Sequence, residues 1–272
     1  MRRLSVLVIV AACGGTPAGG GGGGDDAPTD ARRDGTTGGG ATTAFDPAIT
    51  KVVIEIDYET NQAPYTGPIL GFGDTFDLSS ANFARLFAGT KPVELPRVLA
   101  DMQDIGAVAD EELTIQDILA IAAAHRDRHD SADTRTYYLV FVSGHYVQNG
   151  TVNPNILGVS IVGTGVIAMF KDVVRGTGGG LGVNTVRYVE QSTIVHEVAH
   201  ALGMVGGDVP TTSNHEDAAH DGHCTNDKCV MYWLNEGASE ATAFATKYVL
   251  TKDSVLFGPE CLADADALTG GP

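Results

Sequence analysis

The stretch HEVAHALG at 196–203 constrains this chain more than any other feature: two histidines stand four residues apart, with a glutamate beside the first. On an α-helix, positions i and i+4 lie about 40° apart around the axis, so His196 and His200 point the same way. Their imidazoles can take two corners of a zinc tetrahedron at about 2.0–2.1 Å. Glu197 sits one step round, too far off axis to be a third corner but able to reach a water at the metal. Zinc lowers the pKa of such a water to about 7. A neighbouring carboxylate can then take the proton as the water attacks a carbonyl, and return it to the leaving amine. Val195, Val198, Ala199 and Leu202 make this a half-buried helix with the histidines on its other face. The run STIVHEVAHALGMV predicts a helix over 192–205, with Ser192 or Thr193 as N-cap and Gly203 near its end.

Two histidines do not complete a zinc site. Asp208, His215, His220 and His223 all follow closely and could close it. A glutamate on a later helix is a further option, since NEGASE at 235–240 faintly resembles the NExxSD of thermolysin-like enzymes (gluzincins) and offers Glu236. The spare histidines, with Asp217 or Asp221, could also hold a second metal.

Gly203 fits the glycine of the metzincin pattern HExxHxxG, where the helix stops so that the chain can swing a third ligand round. The short form of that pattern wants a histidine at 206, and residue 206 is Gly206. The rest of the pattern returns at 223–231, HCTNDKCVM, which resembles the archaemetzincins: a zinc histidine, a cysteine directly after it, four residues, a second cysteine, one residue and a methionine. The resemblance implies His196, His200 and His223 as zinc ligands, Glu197 as catalytic base and Met231 as the Met-turn residue. It also implies an insertion, VGGDVPTTSNHEDAAHDG, between Gly203 and His223. A long insertion costs little closure entropy if it leaves at the surface, and leishmanolysin-like metzincins carry a longer one here. The implied fold is α+β: a twisted mixed β-sheet, a long active-site helix and a smaller C-terminal subdomain. The implied activity is a zinc endopeptidase that binds extended peptide along a sheet edge.

The resemblance further implies a structural zinc held by four cysteines. Cys224, Cys229 and Cys261 are present, but Gly258 stands where the fourth would fall. In an exported protein a Cys224–Cys229 disulfide is the simpler expectation, with Cys261 left as an odd thiol.

Export is read from the N-terminus. Residues 1–12, MRRLSVLVIVAA, carry two arginines and then an apolar run too short to span a bilayer. VAAC, ending at Cys13, resembles a bacterial lipobox and predicts lipidation of that cysteine. Residues 13–45 are glycine-rich and nearly free of large apolar side chains, so they read as a flexible tether. The catalytic domain is expected over 46–272, its N-terminal part to about 203 and its C-terminal part over 204–272. Within it, 51–60 alternates as a strand with one buried face, 134–147 reads as one core strand, and 156–174 as two short strands around Gly163–Gly165. One of these last two is the candidate edge. Helices are expected near 110–129 and 253–268, and the mixture without βαβ rhythm points to α+β. The glycine run 176–182 lacks the GK[ST] ending of a phosphate loop and reads as a mobile rim. The formal charge of −17 argues against nucleic acid as a partner. The expectation is a peptidase acting on peptides or proteins, anchored by lipid in the cell envelope or otherwise secreted. The alternative from another class is a zinc-containing surface binding protein without catalysis.

Overall fold

The computed structural model describes residues 10–11, 43–69, 73–178, 183–236, 238–251 and 254–271. Cys13 and most of the 13–45 segment lie outside them. Four strands carry the main sheet: β1 (Lys51–Tyr58), β2 (Thr134–Val142), β3 (Gly158–Ile161) and β4 (Val166–Phe170). The order is β3-β4-β2-β1, with Val93–Glu94 and Gln103–Asp104 pairing in parallel beyond β1. The β2–β1 and β2–β4 pairs are parallel and β3–β4 is antiparallel, so the sheet is mixed. Beyond β3, among the described residues, only Val10–Ala11 pairs, antiparallel, in the register Val10↔Ile161 and Ala11↔Ser160.

Six α-helices are found among the described residues: α1 (Asp77–Leu86), α2 (Ile115–His125), α3 (Lys171–Gly176), α4 (Val183–Ala201), α5 (Ala238–Thr251) and α6 (Pro259–Thr269). None is long and apolar enough to cross a membrane. Helix α4 packs across β3 and β4 and touches α1, α3 and α5, while α2 packs against β4. Both faces of the sheet are therefore covered. β2 reads as a continuous buried run, Thr136–Val142, the pattern of a parallel strand enclosed on both sides.

That enclosure changes two expectations. β1 does not leave one face in water: Asp57 and Glu59 are buried with the apolar positions. Tyr138 Oη donates to Asp57 Oδ2 at 2.9 Å, and Glu59 Oε2 accepts from Ser143 N and Oγ at 2.7 and 2.8 Å. Burial pushes the Asp57 carboxyl up to about 6, against the hydrogen bond from Tyr138. The run 134–147 is not one strand either. It breaks at Gly144, where φ is +73° and a Cβ would lie 1.8 Å from the Glu111 carbonyl oxygen. His145–Gln148 then joins a separate three-stranded sheet.

A buried ion pair seats α4 on the sheet. Lys171, the first residue of α3 directly after β4, meets Glu190 of α4 with both side chains sealed from solvent. The ammonium also lies 3.7 Å over the Tyr65 ring, and Tyr65 N donates to Glu190 Oε1 at 2.7 Å. Burial pushes the Lys171 ammonium down and the Glu190 carboxyl up from their ordinary values, and each partner opposes that shift in the other. Charges desolvated this deeply tolerate the loss of both partners better than of one. Lys171→Met alone should cost about 3–5 kcal/mol in denaturant unfolding. The double variant Lys171→Met/Glu190→Met should recover much of that loss. A single variant as stable as wild type would show that the pair does not hold α4.

Candidate metal centre

Helix α4 begins nine residues before the expected start, so Ser192 and Thr193 are interior rather than caps. Their hydroxyls bond back to the Val189 carbonyl at 3.0 and 2.9 Å. This is the usual escape for a short hydroxyl side chain inside a helix, and it explains why capping residues gave a false start signal. The C-terminal end is where Gly203 placed it. Gly203 adopts φ +83°, Gly203 N donates to His200 O at 2.9 Å, and Met204 N donates to Ala199 O at 3.0 Å. Those two bonds form a Schellman stop, which turns the chain back beneath the helix.

From there to the 3-10 turn Trp233–Glu236 the chain has no regular element among the described residues beyond one bridge, Glu216↔Cys224. This irregular return brings His223 to the two helix histidines. The donor nitrogens of His196, His200 and His223 all lie within 4.8 Å of one another, and all three residues are buried. The ring centroids are 4.6 Å apart for His196–His200, 4.9 Å for His200–His223 and 5.5 Å for His196–His223. Nε2 of His196 and Nε2 of His200 approach to 3.0 Å.

Backbone carbonyls set the ring orientations. His196 Nδ1 lies 2.7 Å from Val230 O, and His223 Nδ1 lies 2.9 Å from Asp221 O and 3.2 Å from His220 O. A carbonyl only accepts, so Nδ1 carries the hydrogen on both rings and the Nε2 lone pairs face inward. Burial holds all three imidazoles below their ordinary pKa, His196 at about 3, with the neighbouring imidazoles adding to the effect at His196 and His200. They are therefore neutral at pH 7, as metal ligands must be.

Glu197 is buried one position round the helix. It accepts a hydrogen bond from the Ser160 backbone N–H on β3, while its Oε2 is buried without a hydrogen-bond partner among the described residues. Burial raises its carboxyl to about 8. The space it occupies exists because β3 has glycine opposite: a Cβ on Gly158 would lie 2.9 Å from Glu197 Cγ, 3.0 Å from Met169 Sδ and 3.2 Å from Thr193 Cγ2.

The other candidates lie elsewhere. Asp208 is exposed beside Gly203. His220 stacks flat on Trp233 at 3.8 Å and bonds Asp217 Oδ2 at 2.8 Å. Asp217 otherwise caps Ala219 N, and Asp221 serves through its carbonyl; among the described residues neither belongs to a donor cluster tight enough for a metal. His215 is buried, but against Cys224 and Asp264. Glu236 ends the 3-10 turn and its side chain lies outside the described residues. Met231 is fully buried in a turn closed by Tyr232 N donating to Cys229 O at 3.1 Å, and its carbonyl accepts from Cys224 N at 2.8 Å. The expected Cys224–Cys229 disulfide is not formed; Cys224, Cys229 and Cys261 are three free, buried thiols.

Two contributors went unread in the sequence. Asn235 donates to Cys229 O at 2.9 Å and to Val230 O at 3.2 Å, steadying the carbonyl that orients His196. It opens the NEGASE stretch that also holds Glu236. Gly158 carried no signal beyond being a glycine in a strand, where close approach of another element is the common reason.

No family model matches the chain, and no curated protein matches it. A solved structure similar to it is that of a zinc-dependent peptidase from Methanocorpusculum labreanum (strain Z), with a TM-score of 0.44 and 13% identity over 78% of this chain and 99% of that one. So low a likeness defines neither fold family nor function, which rest on the site itself.

Adding a methyl at Gly158 forces β3 and α4 apart or displaces Glu197. Gly158→Ala should cost roughly 1–3 kcal/mol, as overpacking does, read from the shift of a denaturant midpoint. An unshifted midpoint would mean that the strand has slack against the helix.

Proposed function

We propose that this chain is a zinc-dependent peptidase of metzincin type, with His196, His200 and His223 as ligands and Glu197 as general base and acid. One observation carries the reading. The inward Nε2 lone pairs of His196 and His223 and the His200 imidazole converge beside a carboxylate whose Oε2 has no partner among the described residues. Nε2 of His196 and Nε2 of His200 lie 3.0 Å apart, which asks for a hydrogen on one of them or a cation between them, and burial disfavours the charged imidazolium. The donor set is borderline-soft and three-fold, which suits zinc with a position left open. Bound there, zinc would acidify a water and polarise a substrate carbonyl.

Glu197 does the proton work. A cation held by the three rings would oppose the burial that raises the Glu197 carboxyl and favour its ionised form, whose Oε2 would accept a proton from the attacking water and deliver it to the departing amine, while the Ser160 N–H holds the other oxygen in place. The Val230 and Asp221 carbonyls keep His196 and His223 in the ligating tautomer. Met231 is proposed as the floor beneath the three rings. Substrate is proposed to run antiparallel along β3, the edge beside Glu197, where the chain's own Val10–Ala11 already pairs. Removal of residues 1–12 as a signal would leave that edge open.

Export and anchoring through Cys13 complete the proposal, on the strength of the charged start, apolar run and VAAC. Cys13→Ser should move the protein from the membrane to the soluble fraction; unchanged fractionation removes the anchor from the account.

Glu197→Gln should keep its zinc and lose about 10²–10⁴-fold in hydrolysis of a mixed peptide library. His223→Ala should lose the active-site zinc and His220→Ala should not. Equal hydrolysis by wild type and Glu197→Gln would sink the mechanism. A zinc-loaded wild type that hydrolyses nothing would favour the binding-protein alternative instead.

A further inference from the structure

We infer that this chain holds a second, structural zinc in a Cys3His site made by Cys224, Cys229, Cys261 and His215, the last supplied by the inserted segment. His215 Nδ1 lies 3.3 Å from Cys224 Sγ, and Cys229 Sγ lies 3.5 Å from Cys261 Sγ. The donor atoms of His215, Cys224 and Cys261 all lie within 4.8 Å of one another, and Cys229 is in hydrogen-bond contact with both other thiols. All four side chains are buried, at 3% exposure or less. The imidazole, Cys224 and Cys261 converge in a dry pocket, with Cys229 against the two thiols, and together they offer a soft donor set that favours tetrahedral zinc.

The far side of the imidazole is already arranged. His215 Nε2 lies 2.6 Å from Asp264 Oδ2, while Asp264 Oδ1 accepts from Thr212 N and Oγ1 at 2.6 and 2.8 Å. A carboxylate so held takes the Nε2 hydrogen and leaves the Nδ1 lone pair facing the sulfurs. That is the carboxylate–histidine–metal arrangement found behind ligating histidines. The backbone sets the register: Glu216 and Cys224 form the bridge, and Thr225 N donates to His215 O at 2.8 Å.

Position 258 cannot supply the fourth ligand. A Cβ on Gly258 would lie 2.8 Å from Asn226 Nδ2 and 3.1 Å from Cys229 Cβ, so the helix start that presents Cys261 closes tightly over Cys229. The corner that a cysteine there would fill is reached from the insertion instead. Binding would release three thiol protons and join four stretches of chain that no helix or sheet connects: the insertion, the segment after His223, the turn before Met231, and α6. Through the Cys229–Met231 turn the site also braces Val230, whose carbonyl orients His196.

The test counts metal and reads its ligands on the full-length chain, without relying on catalysis. Wild type purified with zinc should hold about two ions per chain and His223→Ala about one, since a structural site is occupied whenever its domain is folded. Cobalt loaded into His223→Ala should give the intense sulfur-to-cobalt absorption of a thiolate site, and Cys261→Ser in that background should abolish it. His215→Ala should fall to about one zinc per chain, while His215→Cys, which keeps four donors, should return to about two. If His215→Ala fails to fold, the His215→Cys count and the cobalt spectrum still decide. A wild-type cobalt spectrum without the sulfur band, a disulfide among the three cysteines, or a folded His215→Ala that keeps both ions would overturn the inference. The inference rests on the peptidase reading only for the total count: the sulfur band in His223→Ala and its loss with Cys261→Ser report this site alone, whereas failure of the peptidase reading would appear as absent hydrolysis or as an equal zinc count in wild type and His223→Ala.

Discussion

Everything at the centre depends on one hydrogen bond between two halves of the molecule, His196 Nδ1 to the Val230 carbonyl. His196 belongs to α4, a rigid helix seated on the sheet. Val230 belongs to a return segment with almost no regular structure of its own. A ligating imidazole is useful only if its ring is turned correctly, and an outer carbonyl is what turns it. The carbonyl must therefore be held as firmly as the helix. Asn235 bonds it from one side, and the turn from Cys229 to Tyr232 closes around it.

The helix side of this bond is secured by conventional means. β4 runs directly into α3, whose first residue, Lys171, is driven into Glu190 of α4 beneath Tyr65. Gly158 permits β3 to come within reach of Glu197, so the sheet supplies both support and the Ser160 N–H. The return side has no ladder to rely on. It is held by side chains, by Asn82 bonding Ser254 O and Leu256 N, by Arg85 gripping Asp266 with both nitrogens, and by the thiol–histidine cluster. An irregular segment of this length needs cross-links from outside itself, because it buries too few backbone hydrogen bonds of its own.

Much of this was legible, and the failures have physical causes. HEVAHALG predicted a helix that presents two histidines and then stops, since periodicity and a left-handed glycine are local properties. The same local logic misplaced the helix start. Ser192 and Thr193 look like caps, but tertiary burial lets their hydroxyls bond backwards within a longer helix. Alternation in 51–58 was real, yet Asp57 and Glu59 went inward because partners from β2 and the loop after it awaited them. His215 is near enough in sequence to count among the active-site candidates; the fold instead turns it onto Asp264 and Cys224.

By itself, the sequence determined the chemistry available: a helix carrying two histidines and a glutamate, a further histidine after a stop, and three cysteines whose pairing it misjudged. Those follow from residue type and short-range geometry. Only the tertiary structure decided which histidine meets which partner, because the path of the inserted segment depends on contacts with Asp264 of α6 and with Trp233. It also decided that Glu197 is buried with one oxygen unpaired, which required Gly158 on a strand well before it in the chain. Spacing along a chain can nominate ligands, but convergence in space is set by packing between elements far apart in sequence.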